Sequence, residues 1–270
     1  MYCEVNNQRC FIDTGRASFN PDLPCILFLH GSGLDHNFWT PIANWFTSHG
    51  FSVLVPDLPG HSLTEGDALP SIEQSAVWLD LLLNEMDIER VHVVGHSQGF
   101  LSAIEIASLA PDKVISITGI ATSSSIPVNP ALIDTARKSA REAAELMLKW
   151  GFANNPQIKN GPSIGLSPIA MAREIMSRNP LAVDLQACND YQRGTQIAET
   201  IQLPCLLILS EDDKMTRLSE GKKLATALSA QTVILQGHGH MLPIEAPDAC
   251  IQHLNSFLTL LGQERKNHGN

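Results

Sequence analysis

The stretch Val91-His92-Val93-Val94-Gly95-His96-Ser97-Gln98-Gly99 constrains this chain more than any other. It is a short β-branched apolar run that stops at Gly-x-Ser-x-Gly and is followed by a segment of helical character. Strand, pentapeptide and helix in that order describe a nucleophile elbow, in which a serine is forced onto a tight strand-to-helix turn. Only small neighbours fit such a turn. Gly95 and Gly99 supply the room, because a Cβ at either position would crowd it. Backbone N–H groups at the start of the helix then face whatever the serine attacks, where a helix N-terminus favours developing negative charge.

Further apolar runs with strand character recur at Arg9–Asp13, Cys25–His30, Ser52–Asp57, Val114–Ile120, Cys205–Ser210 and Thr232–Gln236, with Tyr2–Val5 weaker. Several are continuous, the pattern of strands buried on both faces of a parallel sheet. Between them, Ser71–Met86 places Ile72, Ala76, Leu79, Leu83 and Met86 on one helical face, and Ser71 with Gln74 reads as a capping box. Leu218–Leu228 and Ala246–Leu260 are similar, the latter with Pro247 suited to a first helical turn. Strands alternating with helices predict an α/β fold with a doubly wound, mostly parallel sheet of about eight strands.

The alternation breaks from about Ser123 to Thr200, where helical patterns appear at Pro130–Trp150 and Pro168–Met176 without a convincing strand. Loop-like Asn154-Asn155-Pro156 and Asn160-Gly161-Pro162 divide them. An ordinary crossover needs only a dozen or so residues. The segment therefore reads as a helical cap or lid inserted late in the sheet. The expected organisation is a core of residues 1–122 and 200–262, a cap at 123–199, and a polar, frayed tail at 263–270.

With 44% hydrophobic and 17% charged residues the chain is globular. A net charge of −10 and the lack of any basic run argue against a nucleic-acid partner. The N-terminus lacks the basic and apolar regions of a signal peptide, and no apolar stretch is long enough for a membrane span. Cys3, Cys10, Cys25, Cys188, Cys205 and Cys250 are scattered without a C-x-x-C pair, so a reduced, cytoplasmic protein is expected. No nucleotide fingerprint, Walker motif or haem-attachment motif is present, so no cofactor is expected and the partner is a small-molecule substrate. Oligomeric state is not legible.

A serine hydroxyl needs a base, and the base needs an orienting carboxylate. On this architecture the chain order is Ser, then Asp or Glu, then His. Ser210-Glu211-Asp212-Asp213 follows one apolar run and Gln236-Gly237-His238-Gly239-His240 the next. The residues alone leave the three acids open, and the two histidines as well. His238 and His240 as a metal pair lack a third ligand at compatible spacing. His30, His61 and His96 sit in turn motifs and read as satisfied structural histidines. The oxyanion donors are expected to be the Gln98 N–H and, in Leu27–Gly33, the N–H of Ser32 or Gly33. Phe100, Trp150, Phe152 and Met241 are candidates for the substrate pocket, although aromatic residues at helical spacing are more often core.

Together these pieces resemble the α/β-hydrolase superfamily over nearly the whole chain. Beside Gly95–Gly99, the signatures are His30-Gly31-Ser32-Gly33, Pro56-Asp57-Leu58-Pro59-Gly60-His61, Ala110-Pro111-Asp112-Lys113-Val114, Glu211-Asp212-Asp213 and Gly239-His240-Met241-Leu242-Pro243-Ile244-Glu245-Ala246-Pro247. The resemblance implies a triad of Ser97, Asp213 and His240, no metal, and a cap domain at the helical insertion. Two departures stand out. The usual Gly-His-Gly-x-Ser turn is here Gly60-His61-Ser62-Leu63-Thr64, and a serine in place of an aspartate nucleophile argues against dehalogenase and epoxide hydrolase branches. The implied activity is hydrolysis of a carboxylic ester of small or medium size through an acyl-enzyme. The alternatives are carbon–carbon bond hydrolysis, lyase or perhydrolase chemistry with the same triad, or a receptor-like member of low turnover.

Overall fold

A computed structural model describes residues 1–153 and 167–268. The strands are β1 (Tyr2–Val5), β2 (Gln8–Asp13), β3 (Cys25–Leu29), β4 (Ser52–Pro56), β5 (Val91–His96), β6 (Val114–Ile120), β7 (Cys205–Ser210) and β8 (Gln231–Leu235). They form one sheet in the order β1-β2-β4-β3-β5-β6-β7-β8. β1–β2 and β2–β4 pair antiparallel, and every pair from β4 onward is parallel. The chain leaves β3 for β4 on one side and returns to β5 on the other. That reversal is where an open α/β sheet gathers its site, at the carboxyl ends of the strands.

Continuous apolar strands acquire their reason here. In β3, Leu27 and Leu29 face one core layer while Ile26 and Phe28 face the other. The first layer lies under α2 (Ile72–Glu85) and α3 (Gln98–Leu109), the second under α1 (Thr40–Thr47) and α11 (Pro247–His268). Helices on both faces make the sheet doubly wound, as the sequence predicts. Ser71 caps α2, its hydroxyl accepting the Gln74 N–H at 3.2 Å.

Between β6 and β7 run α4 (Pro130–Lys138), α5 (Ala140–Gly151), α6 (Pro168–Arg178), α7 (Leu181–Asp190) and α8 (Gly194–Ala198), while α9 (Leu218–Ala227) follows β7 and α10 (Leu242–Glu245) follows β8. The single helical pattern at Pro130–Trp150 is two helices. Ser139 turns extended between them and caps α5 by accepting the Glu142 N–H. α7 and α8 escaped the sequence reading: α8 is one turn long, and the acid Asp184 sits on the buried side of α7 and blurs its periodicity. The expected loops at 154–156 and 160–162 lie outside the described residues. The tail expected to fray from residue 263 instead continues α11 to His268.

Among the described residues no helix is long and apolar enough to cross a membrane. All six cysteines are free thiols.

Candidate active site

β5 delivers Ser97 to the sheet edge with φ 53° and ψ −120°. A non-glycine residue holds such a conformation at a cost of about 1–3 kcal/mol, and only where its surroundings over-determine it. Here the Ser97 N–H donates to the Ile120 carbonyl at 3.1 Å, and the Thr122 hydroxyl donates to the Ser97 carbonyl at 3.0 Å. A Cβ on Gly95 would overlap the backbone of Gly99 and Phe100, and one on Gly99 the carbonyls of Leu29 and His30. Glycine at these two positions lets the elbow close on itself and on the loop after β3.

The turn after β7 separates the three acids by burial. Glu211 and Asp212 are exposed, whereas Asp213 is 6% exposed. Asp213 Oδ1 accepts the Met215 and Thr216 N–H groups at 2.8 Å each, and Oδ2 accepts the Thr216 hydroxyl at 2.7 Å. Oδ2 also receives His240 Nδ1–H at 2.8 Å. Burial alone would raise the Asp213 carboxyl, but the charge and hydrogen bond of His240, with the Thr216 bonds, hold it below the ordinary carboxylate range.

The loop after β8 sets the two histidines in different surroundings. His238 turns Nδ1 to its neighbour's carbonyl at Gln236, 2.7 Å away. His240 is buried; its N–H donates to the Gly151 carbonyl at 2.6 Å, and its carbonyl accepts His96 Nε2–H at 2.9 Å. Glu245 ties the loop down, its carboxylate accepting the N–H groups of Gly239, Met241 and Ala153. In the sequence Glu245 stands within the Gly239–Pro247 motif with no role of its own legible there. Its place five residues after a candidate base, beside Gly239, was the available signal.

Ser97 and His240 line one cavity of about 210 Å³, walled also by Ser32, Trp150, Met241 and Cys188. Two pocket expectations fail. Phe100 is fully buried in the core layer under α3, and Phe152 is buried in the opposite layer; neither lines the cavity. A larger cleft of about 830 Å³ opens at the other end of the sheet, near the starts of β3 and β5, and contains neither Ser97 nor its partners.

The oxyanion expectation also narrows. The Gln98 N–H has no protein acceptor among the described residues, as a donor waiting for a ligand requires. The Gly33 N–H is taken by Asp184 Oδ2 at 2.6 Å, which removes it as a donor and leaves Ser32. Ser32 Oγ–H donates to Gln98 Oε1 at 2.7 Å and joins the loop after β3 to the start of α3.

Four of the histidines divide by charge. Burial pushes His96 down to about 3, aided by His240, and lowers His30, aided by the positive charge of His61. Burial would lower His36 and His61 too, but Asp57 and Asp184 respectively raise them above the ordinary 6.5. The lowered pair contributes stability that is lost as pH falls below 6.5, and the raised pair stability that is lost as pH rises above it. The thermal midpoint is therefore expected to peak near pH 6.5 and decline on both sides. A scan of unfolding against pH that rises monotonically from 5 to 9 contradicts this assignment.

Residues 26–253 match the sequence profile of the Alpha/beta hydrolase family. This chain belongs to that family. Within it, the chain is 25% identical over 255 residues to carboxylesterase YbfK of Bacillus subtilis (strain 168), covering 90% of this chain and 82% of that one. It is 27% identical over 259 residues to RutD of Pseudomonas syringae pv. syringae (strain B728a), provisionally named a carbamate hydrolase, covering 90% and 96%. The solved enol-lactonase of Burkholderia xenovorans LB400 superposes with a TM-score of 0.84 at 25% identity, over 96% of this chain and 100% of that one.

Proposed function

We propose that this α/β hydrolase is a serine esterase cleaving a carboxylic ester of small or medium size through an acyl-enzyme. The observation that carries the reading is Ser97, held at positive φ in one cavity with His240, whose Nδ1–H is engaged by buried Asp213. With Nδ1 donating to Asp213, Nε2 is the basic nitrogen of His240. In the proposed mechanism Nε2 takes the hydroxyl proton as Ser97 Oγ attacks the ester carbonyl. The tetrahedral oxyanion is held by the Ser32 and Gln98 N–H groups. Collapse breaks the bond to the alkoxy oxygen, which leaves with the proton from His240. Water then repeats the sequence on the acyl-serine and releases the acid. Asp213 keeps the imidazole in the correct tautomer and stabilises its charged form.

We read residues 123–199 as a cap over this site, since α4, α5 and α7 contribute Leu132, Met147 and Leu185 to the cavity wall. The six free thiols suit a reducing, cytoplasmic setting. Names among the relatives, a carboxylesterase and an enol-lactonase, support ester chemistry. At about 210 Å³ the cavity is below the usual range for drug-sized ligands. Kinetics on p-nitrophenyl acetate, butyrate and octanoate should therefore show kcat/KM for the short esters exceeding that for octanoate roughly tenfold or more. Octanoate as the best substrate overturns the small pocket. Turnover equal to that of Ser97→Ala on all three esters overturns the esterase reading.

A further inference from the structure

The loop that carries Ser32 is held from above by two side chains of the helical insertion. Asp184, on α7 and 3% exposed, accepts the Gly33 N–H at 2.6 Å. Asn179, 5% exposed just before α7, donates its amide to the carbonyls of Gly33 and Leu34 at 3.0 Å each and accepts the Ser62 N–H at 3.0 Å. Both the N–H and the C=O of Gly33 are thus spent on residues about 150 positions away in sequence.

Asp184 is itself anchored. The same oxygen, Oδ2, receives His61 Nε2–H at 2.9 Å. His61 Nδ1 faces the Pro59 carbonyl at 3.1 Å. Two pure acceptors facing both ring nitrogens require both to carry hydrogen, so His61 is an imidazolium. His30, with its ring centroid 4.9 Å from that of His61, donates Nδ1–H to the Gly31 carbonyl and accepts the Leu58 N–H at Nε2, so it is neutral. The charges facing His61 are Asp184 and, more remotely, Asp57. A buried ion pair of this kind is costly unless every bond is satisfied, and breaking one side leaves an unpaired charge. Of the motifs that carry the family resemblance in this sequence, one contains His61 and none contains Asp184 or Asn179.

The geometry points to Asp184 as a positioning residue: anchored by His61 and assisted by Asn179, it fixes the Gly33 peptide so that the neighbouring Ser32 N–H faces the oxyanion. This inference rests on the proposed esterase reading. It makes docking of the helical insertion a condition for a formed oxyanion hole. Asp184 touches no reacting atom and acts through the loop alone.

The test compares Asp184→Ala with Asp184→Asn on p-nitrophenyl acetate, alongside amide hydrogen exchange over residues 31–34. Misplacing an oxyanion donor by about an ångström costs on the order of 100-fold. Asp184→Ala should therefore lower kcat about 100-fold with KM changed by no more than about threefold. An asparagine oxygen accepts the same two N–H groups although His61 loses its counter-charge, so Asp184→Asn should recover most of the lost kcat, to within roughly tenfold of the wild type. Exchange at residues 31–34 should quicken about tenfold in the alanine variant and not in the asparagine variant. An unchanged kcat, a loss carried by KM, asparagine as damaging as alanine, or unaltered exchange overturns the inference. If no ester turnover depends on Ser97, the esterase reading falls and exchange decides the positioning role alone: quickening in Asp184→Ala only supports it, and no change refutes it. Should Asp184→Ala fail to fold, Asn179→Ala removes the other half of the clamp and is read by the same two criteria.

Discussion

Ser97→Ala is expected to leave a folded protein whose ester turnover has fallen roughly 10⁴- to 10⁶-fold. Alanine keeps the backbone bonds from Ser97 to Ile120 and Thr122, which involve no side-chain atom of residue 97, so the elbow retains its geometry. What disappears is the only oxygen able to form the acyl bond in the proposed mechanism. His240→Ala should be comparably damaging because it removes the base. His238→Ala should lie within about twofold of the wild type, its ring being bonded to the Gln236 carbonyl. Steady-state kinetics with a thermal midpoint for each variant checks all three. Equal losses at His238 and His240 contradict the assignment of the base, and a large fall in midpoint for Ser97→Ala contradicts the structural argument.

Asp213→Asn is expected to cost about 10⁴-fold in kcat, for a reason that the hydrogen bonds specify. Oδ1 accepts two backbone N–H groups, from Met215 and Thr216, and in the variant only the amide oxygen can remain there. The NH2 group then occupies the Oδ2 position and points a donor at His240 Nδ1. Nδ1 must accept, its proton moves to Nε2, and the nitrogen that takes the Ser97 proton in the proposed mechanism ceases to be a base. Asp212→Asn changes an exposed side chain one position away and should leave kcat within about twofold. Comparable losses at both positions, measured on the same ester, contradict the proposed role of Asp213.

What the sequence makes legible is what repeats at short range. The strands follow from apolar runs such as Cys25–Leu29, whose residues alternate between two core layers and so read as continuous. The elbow follows from Gly95 and Gly99, because close backbone approach leaves a local mark. Burial of Asp213 against exposure of Asp212 is a different matter. Only the fold decides which of three adjacent acids turns toward the loop after β8. Ser32 and Gly33 were inseparable for the same reason, since the residue that consumes the Gly33 N–H lies on α7. Asp184 did leave a trace, an acid between Leu181 and Leu185 on the apolar side of a short helix. Phe100 and Phe152 show the opposite failure, in which nearness in sequence to Ser97 or to the insertion suggests a pocket that their burial in the core denies.

The bond from the His240 N–H to the Gly151 carbonyl bears on how this protein can be recombined with its relatives. A Cβ on Gly239 would strike the backbone of Gly151 to Ala153, so the end of α5 and the loop after β8 are moulded to one another. Exchanging residues 123–199 as a block would discard that seat together with Asn179 and Asp184. A chimaera built at those borders inherits the donor's pocket walls but not the recipient's supports for its own loops after β3 and β8. The exchangeable unit is therefore discontinuous: the insertion travels with the turns around Gly33, His61 and Gly239, or it arrives without its fastenings.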